Sequence, residues 1–85
     1  MDAPQQALNV RMHTLIDAVR DQVPVETAAL ASEMVDANES PIALDMLSEV
    51  LAERSSPVSK EIVVKFEMLA TGLGLGPQTV NRLRG

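Results

Sequence analysis

The chain has 85 residues, 46% of them hydrophobic, which is one small domain with a core of its own, so residues 1–85 are read as a single domain with residues 1–4 as a flexible end. There is no cysteine, which excludes disulfide scaffolds, thiolate metal sites and thiol catalysis, and no leader-like or membrane-spanning apolar run, so a cytoplasmic protein without membrane contact is expected. The net charge of −5 is unevenly placed, because residues 22–53 hold seven carboxylates and no lysine or arginine, a field that repels nucleic acid and attracts a basic protein.

Apolar residues recur at spacings of three and four, as in amphipathic helices, and Pro24, Pro41, Pro57 and Pro77 stand between the periodic segments. The first helix is predicted from Gln5 to Asp21, with Leu8, Met12, Leu15, Ile16 and Val19 inward and Val10 on the far side. His13 falls off the inward arc, and Asp17, four residues on, is its nearest carboxylate along the helix. The second helix, Val25 to Asn38, places Leu30, Ala31, Met34 and Val35 together and Glu26, Glu33 and Asp36 outside.

Ser40 is positioned to cap a third helix, Pro41 suits its first turn, and the pattern continues to about Arg54. At roughly 100° per residue, Ala43, Leu44, Met46, Leu47, Val50 and Leu51 share one arc. Asp45, Glu49 and Glu53 fall on the other side as an acidic ridge at successive four-residue steps. Ser59 is the cap expected for a fourth helix, Lys60 to about Thr71. Ile62, Val63, Phe66, Leu69 and Ala70 form its inner arc, with Phe66, the only aromatic residue, as a core anchor. Glu61 and Lys65 are spaced for an ion pair, while Val64 and Met68 lie on the opposite side, where a small apolar patch could face a partner.

The segment Gly72 to Pro77 ends that helix, and its Gly-Leu-Gly-Leu-Gly run follows a helical pattern without dinucleotide-binding spacing. A short last helix from Gln78 to Leu83 packs Val80 and Leu83 and leaves Asn81, Arg82 and Arg84 polar. The predicted fold is all-α, a compact bundle of four principal helices with a short C-terminal helix.

Little in the chain points to catalysis or a cofactor. A single histidine with scattered serines, Ser32 and Ser48 among them, makes no recognisable nucleophile motif, and one histidine is too few ligands for a zinc site. The carboxylates sit on solvated helix faces rather than around a concave site, and none forms a calcium loop. In outline the chain is similar to acyl carrier proteins, but where they have Asp-Ser-Leu it has Asp45-Met46-Leu47, and Met46 has no hydroxyl to carry phosphopantetheine. No enzyme activity and no cofactor or metal are therefore expected.

What remains is a binding surface, and like charges four residues apart, Asp45 with Glu49 and Glu49 with Glu53, each cost a few tenths of a kcal/mol that a basic partner would offset. The run Ser40-Pro41-Ile42-Ala43-Leu44-Asp45-Met46-Leu47-Ser48-Glu49-Val50-Leu51-Ala52-Glu53, then Pro57-Val58-Ser59-Lys60-Glu61, then Phe66 to Leu75, resembles the MafI-type immunity proteins of bacterial polymorphic toxin and contact-dependent inhibition systems. Ala43, Leu44, Leu47, Leu51 and Glu53 match the family's helical pattern, with Asp45 in place of a glutamate, and the likeness spans about residues 25 to 80. The chain departs from it in having no Trp or Tyr.

The resemblance implies a small helical protein that binds and neutralises a cognate toxin domain, with a nuclease, RNase or DNase, fitting the acidic surface. The partner-binding residues expected on this reading are Glu33, Asp36, Glu39, Asp45, Glu49 and Glu53. The alternative is an acidic helical adaptor or regulatory protein with a non-toxin partner, and self-association is left open.

Overall fold

The computed structural model describes the backbone of residues 3–53 and 58–84 and the side chains of residues 7–53 and 58–83. Five α-helices follow one another: α1 Ala3–Val19, α2 Val25–Asp36, α3 Ser40–Ala52, α4 Lys60–Leu73 and α5 Gln78–Arg84, with a 3₁₀ turn at Arg20–Gln22. There is no strand among the described residues, as the all-α expectation required. The Cα radius of gyration is 11.8 Å, against about 11.9 Å for a folded chain of this length. No helix of the described residues is long and apolar enough to cross a membrane. Of the expected flexible residues 1–4, the first two lie outside the described residues, while Ala3 and Pro4 open α1.

The helix ends follow from local chemistry. Pro24 precedes α2, Pro41 sits in the first turn of α3, and the Pro77 carbonyl accepts the first turn of α5 from the Val80 and Asn81 amides, places where a missing N–H costs nothing. Ser59 caps α4 as predicted, its Oγ accepting the Ile62 amide at 3.3 Å.

Two helices end in the same way. At the end of α2 the Glu39 amide reaches back to the Met34 carbonyl and the Asn38 amide to that of Val35, with Asn38 at φ 62°. At the end of α4 Leu75 bonds Ala70 and Gly74 bonds Thr71, with Gly74 at φ 75°. Both are Schellman closures, in which a residue in the left-handed region satisfies the last carbonyls, the role to which Gly and Asn are suited.

Three local expectations are corrected. Ser40 does not cap α3 but is its buried first residue, and its Oγ donates to Asn9 Oδ1 at 3.1 Å; the backbone carbonyl of Glu39 accepts the Ile42 and Ala43 amides instead. Leu30 is 45% exposed rather than inward, because the small residues Ala28 and Ala31 with Val35 form the buried face of α2 and turn Leu30 to its flank. The first helix ends at Val19, where the backbone tightens into the 3₁₀ turn before Pro24. The third helix, predicted to about Arg54, ends at Ala52 with Glu53 as its C-cap, and Arg54 lies outside the described residues.

The core is built from all five helices. Met12, Leu15, Ile16 and Val19 of α1 meet Ala31 and Val35 of α2, Leu44, Leu47 and Leu51 of α3, and Phe66 and Leu69 of α4, each almost fully removed from water. Alpha-3 packs against α2 and α5, and α1 against α2 and α4. The last pair is close: a methyl group at Gly72 would stand 2.8 Å from Leu8 Cδ2.

Phe66 has no exposed surface, so Phe66→Ala is expected to cost about 3–5 kcal/mol. Gly74→Ala, which forces an alanine into the left-handed region, should cost about 1 kcal/mol with no loss of packing. Urea unfolding followed by circular dichroism measures both.

Candidate functional site

Seven carboxylates on α2, α3 and the turn between them repel one another unless cations reach them. The structure supplies two local answers. On α5, Thr79 and Val80 are buried, and this seats Arg82 beside α3. Its Nη1 donates to Asp45 Oδ1 at 2.5 Å and to Ser48 Oγ at 3.1 Å, and its Nη2 lies 3.9 Å from Glu49 Oε1. The Ser48 hydroxyl in turn donates to the Asp45 carbonyl at 2.7 Å. This buried serine is thus satisfied twice, and α5 is fastened to α3 by charge-assisted bonds.

The second answer lies between α1 and α2. His13 Nε2 stands 3.0 Å from Asp36 Oδ1, and its Nδ1 stands 3.2 Å from Ser32 Oγ. Ser32 and Asp36 are one turn apart on α2, so one imidazole ring of α1 spans both. The carboxylate expected beside His13 was Asp17; instead Asp17 accepts from Arg20 at 2.7 Å. The Glu61–Lys65 ion pair is not formed either.

A serine, a histidine and an aspartate in hydrogen-bond reach are the parts of a nucleophilic triad, so the surroundings decide what they can do. Ser32 lies inside α2, where the neighbouring backbone N–H groups are committed to the helix and unavailable to a developing oxyanion. Ser32, His13 and Asp36 line neither the groove at Arg11 and Met68, nor that at Asp21 and Glu53, nor that at Glu67 and Pro77, and Asp36 is 72% exposed. As placed, the three side chains join α1 to α2. Among the described residues no three histidine, aspartate or glutamate side chains come together as metal ligands.

The six residues predicted to bind a partner therefore divide. Glu33 on α2, Glu39 at the turn, Glu49 on α3 and Glu53 at the C-cap of α3 are exposed, with Glu49 only at the outer range of Arg82. Asp36 is drawn toward α1 by His13, and Asp45 is drawn to the opposite flank by Arg82. Three exposed apolar residues, Val25, Leu30 and Ile42, lie on the same two helices as these acids. Glu53 also borders a shallow groove with Asp21, Gln22, Val23, Pro24 and Val50, which adds Asp21 to the acidic surface.

The residues that sequence reasoning missed are Arg82, His13 and Ser48. For Arg82 a signal exists: Ser48 and Asp45 share the edge of the apolar arc on α3, and a polar edge beside a core needs a polar cover. Compared with known proteins, the chain matches no family model, no curated protein and no solved structure.

Asp45→Asn and Arg82→Met are each expected to lower stability by about 1 kcal/mol, and a double-mutant cycle between them to return a coupling of about 0.5–1.5 kcal/mol. Glu53→Gln, with no such partner, should stay within about 0.5 kcal/mol of the parent. Urea denaturation of the parent and the four variants measures these differences.

Proposed function

We propose that this protein is a binding protein that neutralises a basic partner through the outer face of α2 and α3, acting as an immunity protein toward a cognate bacterial toxin domain. The observation that carries this reading is the set Glu33, Glu39, Glu49 and Glu53, exposed on a stretch of 32 residues that holds no lysine or arginine of its own. Carboxylates presented in this way resemble the charge of a nucleic-acid backbone, so a nuclease, RNase or DNase, is the toxin chemistry that fits. Such a field steers a basic domain into contact faster than diffusion alone and directs it away from the anionic substrate.

On this reading the protein works in the cytoplasm by occupying a surface rather than by catalysis, and it needs no cofactor, no nucleic acid and no membrane. Asp36 and Asp45 have internal partners, so they contribute less to recognition than the four glutamates. The sequence resemblance supplies the toxin identity of the partner; the exposed acids supply the surface.

Copurification from the native cell, with mass spectrometry of the retained protein, should return a basic toxin domain. Reversing Glu49 and Glu53 together to Lys should then weaken that complex by at least about tenfold at moderate salt, with an unchanged helical spectrum. His13→Ala should leave toxin neutralisation intact. Unchanged affinity in the double reversal, or loss of neutralisation in a folded His13→Ala protein, contradicts the proposal.

A further inference from the structure

We infer that the groove between α1 and α4 is a second docking site, which takes an acidic amphipathic helix of a partner protein. The inference is independent of the toxin reading, because the groove lies on other helices and its lining holds two cations and no carboxylate.

The groove is lined by Arg11, Thr14 and Leu15 of α1 and Lys65, Met68 and Leu69 of α4, and its volume is about 260 Å³. Leu15 and Leu69 are buried and form its floor, while Met68 is 57% exposed. Val10 and Val64, one turn along from Thr14 and Met68 on their helices, are also exposed but do not line the groove. The Thr14 hydroxyl donates to the Val10 carbonyl at 3.0 Å, so it makes no polar demand on an occupant.

Arg11 and Lys65 set the charge of the site. Both are exposed, and among the described residues neither takes part in an ion pair. Of the nearby acids, Asp17 is paired with Arg20, and Glu61, one turn before Lys65, makes no ion pair with it. On a chain of net charge −5, two unpaired cations beside an uncovered apolar strip are complementary to a ligand that is apolar on one edge and acidic beside it.

The shape favours a helix over a small molecule or a membrane. Leu8 meets Gly72 at one end of the pair and residues 11–15 meet residues 65–69 further along, so the two helices run antiparallel. Arg11 and Lys65 are therefore offset along the trough by about 6 Å, one helical turn. An incoming helix with a leucine between acids at four-residue spacing would seat the leucine over Leu15 and Leu69 and bring its carboxylates to the two cations. The volume lies below the roughly 300–1,000 Å³ of small-molecule sites and suits one or two inserted side chains. A flat bilayer surface does not enter a trough between two helices, whereas one helix laid along it does.

The test uses the full chain, labelled with ¹⁵N, and three probes. The first is a helical peptide of about 18 residues, five turns, with glutamates one turn either side of a central leucine. The second has lysine for each glutamate, and the third is a vesicle of phosphatidylserine and phosphatidylcholine. The glutamate peptide is expected to shift the amides of residues 10–15 and 64–69 saturably. Its affinity should fall at least about tenfold in the Arg11→Glu/Lys65→Glu double variant and in Met68→Glu. Circular dichroism verifies that both variants fold, since every altered side chain is exposed. The lysine peptide should leave the groove unshifted; shifts on α2 and α3 in its presence would bear on the acidic face alone.

Absence of saturable binding at millimolar peptide overturns the inference, as do equal affinity in the charge-reversed variant and vesicle binding without peptide binding. Concentration-dependent shifts of residues 10–15 and 64–69 without any peptide would assign the groove to a second copy of the chain, and would also overturn it.

Discussion

Ala43, Leu44, Leu47 and Leu51 leave no appreciable surface to water, and the other four helices have to bring apolar side chains to cover them. That burial constrains everything else about α3. A helix buried along one arc must present the remaining arc outward, and on this chain the remaining arc carries Ile42, Glu49 and Glu53. The acidic surface is thus a direct consequence of which residues fill the core, and moving it would mean moving the core.

The edges of the same arc explain the short last helix. Seven residues make a marginal helix in isolation, yet α5 is held on one side by Val80 in the core and on the other by Arg82 across Asp45 and Ser48. The bond to Asp45 relieves part of the like-charge repulsion along α3 where the arc meets the neighbouring helix, and leaves the charge farther out uncompensated. His13 does the corresponding work between α1 and α2, where it meets Asp36 and Ser32. An arginine and a histidine of the chain itself therefore reach the flanks of the acidic face, and its outer glutamates stay in solvent. Away from that face, the groove between α1 and α4 is bordered by Arg11 and Lys65 beside Met68.

Helix identity, the prolines at helix starts, the Ser59 cap and Phe66 as an anchor were legible because each depends on spacing or on neighbours within one turn. The exposed pair Val64 and Met68 was legible for the same reason, and both are uncovered. Contacts distant in sequence were not legible. Nothing in the first 20 residues points His13 to Asp36 rather than to Asp17, and Arg82 is 37 residues from Asp45. The capping role expected of Ser40 depended on local rules alone, whereas the burial of that serine against Asn9 of α1 decides its actual partner. Leu30 was misplaced because periodicity cannot tell the centre of a buried arc from its flank when alanines supply the close contact.

The central claim is that the outward arc of α2 and α3 is where a basic partner sits. Its most direct measurement is cross-saturation NMR on the isotopically labelled chain bound to the partner recovered from the native cell. The account predicts transfer concentrated on Glu33, Glu39, Ile42, Glu49 and Glu53, fading toward Asp36 and Asp45. Transfer confined to α1 and α4, with α2 and α3 unaffected, would contradict it.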